Sequence, residues 1–307
     1  MSKTSARLRS ALDSDLVWRF RQSPPAMVAA TLLLIMVVCA VAAPLIAPHT
    51  PFDPATLNLM DSRLPPVWID GGMATYPLGT DEQGRDVLST IFYGMRISIA
   101  VGVAAVCLSV VIGVTLGLIA GWCGGWIDAL IMRLGDVQLS FPTIMVAFFI
   151  DGVAKATMPP DLREMTRFYV VIFAIGIADW VQFARTVRAA TMIEKNKDYA
   201  AAARLSRVSG LKILFTHVLP NTLGPVIILA TLGLGVAILT EAILSFLGLG
   251  MPPTQPSLGA LIRVGNDLLL SGEWWIAMFP GLALVLLVLS VNIFGDWLRD
   301  ALNPRLK

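Results

Sequence analysis

Residues 198–221 read DYAAAARLSRVSGLKILFTHVLPN and lie between two long apolar runs. With Asp198, Arg204, Arg207 and Lys212, the stretch is too polar to cross a bilayer. Its apolar positions recur at helical spacing: Tyr199, Ala202 and Ala203, then Leu211, Leu214, Phe215 and Val218. Ser209-Gly210 interrupts the pattern, which predicts two short helices with a joint between them, and Pro220 closes the segment. A basic, amphipathic helix pair on a membrane loop reads either as a docking surface for another protein or as a solvated helical loop.

The runs that flank this stretch set the class of the chain. Hydrophobic residues make up 56% of the 307, charged residues only 14%, and the mean hydropathy is +0.74. A soluble chain carries nearer a quarter charged residues, so this composition specifies a polytopic membrane protein. A net charge of +2 and the lack of a basic patch interleaved with aromatics argue against nucleic acid as a partner. Cys39, Cys107 and Cys123 are odd in number and lie in or beside apolar runs. They read as small hydrophobes, not as a disulfide framework or a thiolate metal site.

The fold class predicted is all-α, with six spans at about 27–47, 97–120, 127–151, 168–189, 222–246 and 276–297. Each is long enough to cross a hydrocarbon core of about 30 Å. Lipid offers no hydrogen-bond partners, and the runs lack strand alternation, so they are helices. The first run follows a polar leader and is too long for a signal-peptide core. Residues 1–25 alternate Leu8, Leu12, Leu16 and Trp18 with Arg7, Arg9, Arg19 and Arg21, the pattern of an interfacial helix, and Pro24-Pro25 turns the chain into the bilayer. The remainder, 26–307, is one transmembrane domain with a loop at 190–221. With both termini inside, sixteen Lys and Arg fall on inner segments and seven on outer ones. That bias places residues 198–221, and membrane lipid contacts of the basic N-terminus, on the cytoplasmic side.

Other stretches carry local expectations. The outer loop 48–96 ends in YPLGTDEQGRDVLSTIFYGMRIS. A helix is expected from near Thr80, with Asp81 and Glu82 at its positive end and Arg85 and Asp86 within two turns. Asp81, Glu82, Arg85 and Asp86 are either an external lip that meets a partner or gates an entrance, or a surface loop held by local ion pairs. Gly113, Gly117 and Gly121 form a small-residue face for close helix packing. Arg133 falls between Asp128 and Asp136 as a structural charge cluster. Pro142 is expected to kink the third span, and Gln138, Ser140 and Pro142 are candidates for lining a pathway. Asp179 is an ionisable residue inside a span, hence a functional candidate, with pairing to Arg185 as the structural alternative. Trp274-Trp275 fits an interfacial belt, and NIFGDWLRDALNPRLK reads as a polar inner tail.

No phosphate-binding loop of the GxxxxGK[ST] type occurs, and no HExxH, CxxC or GxSxG. No catalytic residue and no metal site is assigned. His49 and His217 are the two histidines, each read as structural. An ATP-independent secondary transporter would show an internal repeat and ionisable groups deep in the spans, whereas the charges here cluster at the span ends.

Five stretches together resemble the permease subunits of ABC importers of the dipeptide/oligopeptide/nickel family, of the second-permease type. They are GTDEQGRDVLSTIFYGMRIS (79–98), LSFPTIM (139–145), the 198–221 segment with its FTHVLPN ending, EAILSFLGLGMPPTQPSLGALI (241–262) and FGDWLRDALNPRLK (294–307). The resemblance covers nearly the whole chain. It implies half of a translocation pathway for peptides, with nickel or another small solute as the alternative cargo. The partners it implies are a homologous second permease, two ATPase subunits or domains and an external binding protein. ATP and Mg would reside on the ATPases, with no cofactor on this chain. Residues 198–221 would be the coupling loop that docks into an ATPase groove, with Tyr199, Ala201, Ala202, Arg204, Arg207, Leu211, Leu214, His217 and Pro220 making or bracing the contact. The family's loop usually carries Glu at the position of Ala201 and Gly at that of Arg207. A left-handed Arg207 would cost about 1–2 kcal/mol, so the joint is expected at Gly210, or as a right-handed turn.

Overall fold

A computed structural model describes residues 15–52, 57–252 and 255–302. Among them the chain is helical, without named strands. Helix α1 spans Asp15–Arg21, α2 Pro24–Val41 and α3 Ala43–Ile46. They are followed by α4 Val87–Cys123, α5 Gly125–Leu139, α6 Thr143–Thr157 and α7 Pro160–Glu194. The chain continues with α8 Asp198–Leu205, α9 Gly210–Ile213, α10 Leu219–Phe246, α11 Leu258–Leu268 and α12 Trp275–Leu302. Among the described residues, five helices are long and apolar enough to cross a membrane, and the bent pair α5–α6 is the sixth candidate.

Four of the six expected spans extend well past their predicted ends, because polar caps and charged turns continue the helices into the interface. Helix α4 begins at Val87, ten residues before the expected start of that span at 97. The expected helix start near Thr80 is corrected: Asp86 is the N-cap, and its carboxylate accepts from the backbone N–H groups of Leu88 and Ser89. The last span runs helical to Leu302, so the expected polar tail begins as helix, and residues 303–307 lie outside the described region. The expected interfacial helix over 1–25 is described only from Asp15. Its Phe20 ring sits 4.9 Å from Trp297, docking α1 on the end of α12.

The third span is not one kinked helix. α5 and α6 meet at 92° across Ser140-Phe141-Pro142. Proline biases the residue before it away from helix and cannot donate to the preceding turn, so LSFP ends α5 and Pro142 caps α6.

The longest seam joins α4 and α7, and the glycine stripe makes it. A Cβ on Gly113 would lie 2.6 Å from the Trp180 carbonyl oxygen, and one on Gly117 would lie 2.6 Å from that of Ala184. Backbones approach this closely only where side chains are absent. Two ion pairs fasten α5 to the same helix: Arg188 chelates Asp128 through two nitrogens, and Arg185 meets Asp136 at 2.6 Å. The expected cluster around Arg133 is therefore corrected. Arg133 is exposed, and both aspartates pair across to α7.

Helix α11 was not expected from the sequence. It lies between two spans, capped by Ser257, and buries Leu258, Leu261 and Leu268. Trp275, expected in an interfacial belt, is buried in the core beside it. Its indole donates to the Thr80 carbonyl at 3.2 Å.

Candidate functional site

The segment 198–221 is a helix pair braced from below and open above. Ala200, Ile213, Leu214 and Val218 are buried with Leu118 of α4, Phe183 and Val187 of α7 and Val226 of α10. Polar contacts tie the same pair to the span ends. The Tyr199 hydroxyl donates to Glu194 at 2.6 Å and its ring stacks on His217 at 6.0 Å. Burial, reinforced by that hydrogen bond to a carboxylate, pushes the Tyr199 hydroxyl above its ordinary range. The Arg204 guanidinium stands 5.7 Å over the Trp122 ring and donates to the Lys195 carbonyl. Lys195 in turn donates to the Gly121 carbonyl at 2.7 Å, so α4, α7 and α8 share one network.

The opposite face is apolar and uncovered within this chain. Leu205 is 87% exposed, Leu211 68% and Phe215 59%, with Ala201 and Ala202 exposed beside them. Lys212 and Arg207 flank this patch and are also exposed. The amphipathic reading is thus corrected in detail. Leu211 and Phe215 face outward, whereas Leu214 and Val218 face inward as expected, joined by Ala200 and Ile213. Leu205 was absent from the expected set, although its spacing of three from Ala202 put it on that outward face.

The joint is also corrected. Arg207 is left-handed, with φ 56°. The Val208 N–H donates to the Ala203 carbonyl, six residues to one, and Val208 is half-buried against the core. This is the Schellman end of α8, in which the residue after the cap is left-handed and the next one packs inward. Gly210, expected as the joint, is instead the first residue of α9 under a Ser209 cap position. Pro220 does not end the segment. The helix runs from Gly210 to Phe246 through a π turn at Leu214–Val218. The wider turn accommodates the missing N–H and the ring of Pro220.

At the far end of the bundle, the expected lip residues occupy a tight turn closed by a Thr80–Asp86 bridge. Asp81 is buried and accepts from the Gln83 and Arg85 backbone N–H groups at 2.8 and 2.9 Å. Burial pushes its carboxyl above the ordinary range, against the pull of those hydrogen bonds and of Arg85. Asp86 is buried as the α4 cap, with His49 at 3.6 Å. Arg85 lies over the Phe52 ring at 5.6 Å, and Glu82 is exposed. The charges therefore form a turn rather than successive turns of a helix. Asp81, Glu82 and Arg85 line a cavity of about 440 Å³ together with Arg167 of α7 and Arg263 of α11. Neither arginine was singled out from sequence, because they come from separate elements.

Beneath this mouth lies a buried polar knot. Glu241, fully buried in α10, accepts from Ser98 of α4 at 2.8 Å and from Ser245 at 2.6 Å. Ser257 donates to Ser245 at 3.0 Å, and Ser98 accepts from the Leu258 N–H. The knot joins α4, α10 and the start of α11. The expected pathway set is dispersed. Gln138 accepts from the Trp180 indole at 2.6 Å and donates to the Ile177 carbonyl, so it holds α5 on α7. Ser140 bonds back to Asp136, and Pro142 marks the break.

Comparison with known proteins places this architecture. Residues 113–307 match the model of the binding-protein-dependent transport system inner membrane component, and residues 14–66 match that of the N-terminal TM domain of oligopeptide transport permease C. The dipeptide transport system permease protein DppC of Escherichia coli K12 is 40% identical over 291 residues, covering 94% of this chain and 91% of that protein. The di/tripeptide transport system permease protein DppC of Pseudomonas aeruginosa UCBPP-PA14 is 39% identical over 275 residues, covering 90% and 86%. The corresponding dipeptide permease of Haemophilus influenzae KW20 Rd is 38% identical over 288 residues, covering 94% and 93%. With a family model matched over most of its length and relatives this similar end to end, the chain belongs to the inner-membrane permease components of binding-protein-dependent transport systems.

Proposed function

We propose that this permease carries di- or oligopeptides inward across the plasma membrane, with both termini in the cytoplasm. It pairs with a second permease, receives cargo from an external binding protein and is driven by two separate ATPases that hold the ATP and Mg. The names of its relatives support the peptide cargo. The observation that carries the mechanism is the exposed Leu205–Leu211–Phe215 face on a helix pair whose other side is locked to α4, α7 and α10. Large exposed apolar side chains beside exposed cations on one braced segment fit a protein groove better than solvent.

In this reading, ATP-driven closure of the ATPases moves the docked segment. The network of Tyr199, Glu194, Arg204, Trp122 and Lys195 passes that displacement to the ends of α4 and α7. A loop without these braces would absorb the motion. Tyr199, Leu214 and His217 brace, Ala201, Ala202, Leu211 and Arg207 face the ATPase, Arg204 does both, and Pro220 shapes the π turn. The turn at Asp81–Asp86 forms the outer mouth, where Glu82 is free to meet the binding protein.

The test is ATP-driven uptake of labelled dialanine into proteoliposomes holding this chain, its partner permease, the ATPases and the binding protein. Uptake that needs ATP and the ATPases supports the reading. Uptake without any ATPase overturns it, and ATP hydrolysis stimulated by the binding protein without peptide uptake rejects the cargo.

A further inference from the structure

Inside the membrane-spanning bundle, α4, α7 and α10 line a second, partly open cavity of about 270 Å³. That approaches the lower end of the volumes of small-molecule sites, about 300 Å³. Each helix contributes one stripe. Val106 and Ser109 come from α4, Asp179 and Gln182 from α7, and Gly233 and Val236 from α10, each pair three residues apart and so on one face.

Asp179 is the one charged residue lining this cavity. Its expected partner is committed elsewhere: Arg185 pairs with Asp136, and the next cation along the helix, Arg188, pairs with Asp128. Ser109 cannot supply a counter-charge, and its hydroxyl already donates to the Ala105 and Gly176 carbonyls at 3.0 Å. Among the described residues Asp179 makes no hydrogen bond or ion pair, and it is not among those with further contacts. Every other acidic residue on the described part of α5 and α7 in this half of the bundle has a cation or hydroxyl partner: Asp128, Asp136 and Glu194.

An ionisable side chain in the hydrocarbon region is costly unless it faces a polar cavity or meets an opposite charge, and such residues mark pathways for charged cargo. A peptide in transit brings that charge, because its free α-ammonium must also leave water. Gln182 lines the same cavity and leaves an amide beside the carboxylate, and Gly233 contributes no side chain to the wall. We propose that Asp179 accepts the α-ammonium group of the peptide as it passes between α4, α7 and α10. The inference rests on the peptide-importer reading above and names its intramembrane subsite. The pairing is transient by design, since a fixed internal cation would block the site and a second strong contact would trap the cargo.

The test uses the reconstituted complex with dialanine-loaded binding protein, comparing wild type, Asp179→Asn and Asp179→Glu. Asn keeps the shape and removes the charge. Glu keeps the charge. Loss of one charge-assisted contact predicts dialanine uptake reduced about tenfold to a hundredfold in Asp179→Asn. ATP hydrolysis stimulated by the loaded binding protein should persist, and Asp179→Glu should recover a substantial part of the uptake. Unchanged uptake in Asp179→Asn overturns the proposal. Failure of Asp179→Asn to assemble, or equal loss of hydrolysis and uptake, also overturns it and assigns Asp179 to a contact with the partner permease. A wild-type complex that hydrolyses ATP but takes up no dialanine fails the cargo reading instead.

Discussion

The two ends of the bundle handle polarity in opposite ways. At the mouth end, three buried carboxylates find their hydrogen bonds within the chain: Asp81 from the backbone of its own turn, Asp86 from the first turn of α4, and Glu241 from Ser98 and Ser245. At the 198–221 end, large apolar side chains are left outside while the polar groups are used as braces. A closed polar knot fixes one arrangement of helices, because every group removed leaves a buried partner unsatisfied. An exposed apolar face on a rigid support has its stabilisation still to come, from something outside the chain. The first is how a scaffold is built and the second how a moving partner is gripped.

That contrast can be broken first at the grip. Leu211→Glu combined with Phe215→Glu replaces two exposed apolar side chains by charges. Burying each is worth about 1.5–3 kcal/mol, so binding of the ATPase subunits should weaken by a hundredfold or more, with the permease still folded. Pull-down of the ATPases and thermal unfolding of the permease pair separate the two effects.

The reverse pattern is expected at the knot. Glu241→Ala leaves Ser98 and Ser245 without their acceptor in a buried site and should cost about 1.5–3 kcal/mol. The unfolding temperature falls, while ATPase binding to the remaining folded complex is unaltered. A loss of ATPase binding equal to that of the double variant would dissolve the distinction between scaffold and grip. Between the two ends lies the seam. Gly117→Val drives a side chain against the Ala184 carbonyl and the Val187 side chain, and an overpacking cost of about 1–3 kcal/mol should appear in the same unfolding assay.

Smaller effects sharpen the comparison. Arg207→Gly removes the left-handed penalty at the end of α8 and should stabilise the segment by about 1 kcal/mol. If uptake nevertheless falls, the Arg207 charge itself contacts the ATPase, and Arg207→Glu should fall further. At the mouth, the Asp81 carboxyl titrates above its unfolded value because of burial. A raised acid favours the fold at low pH, and this contribution is lost as pH rises through the folded pKa. Asp81→Asn, which can still accept both backbone N–H groups, should be at least as stable as wild type at neutral pH and lose the acid-dependent gain. Unchanged uptake in that variant confirms a turn-forming role.

How much of this was legible in sequence follows from range. The apolar runs, the glycine stripe and the amphipathic break at 198–221 are local signals, and the helices appear where those signals stand. Arg207 was misjudged because its local penalty is outweighed by Val208 packing on the bundle and by the hydrogen bond back to Ala203. Helix α11 is masked by Pro252, Pro253 and Pro256 just before it, which read as loop, although Ser257 followed by Leu258, Leu261, Ile262, Gly265 and Leu268–Leu269 is a capped helical stripe. The Glu241 knot and the arginines of the mouth are joined across separate elements, Ser98 and Glu241 being 143 residues apart. No reading of spacing along one element brings such groups together.

On the proposed reading, the exposed face at 205–215 is the ATPase grip. The most direct measurement is the affinity of the purified ATPase subunits for the permease pair in nanodiscs, comparing wild type with Leu211→Glu/Phe215→Glu and with Glu241→Ala as the scaffold control. The account predicts loss of at least a hundredfold in the double variant and wild-type affinity in the control. Wild-type affinity in the double variant would contradict it.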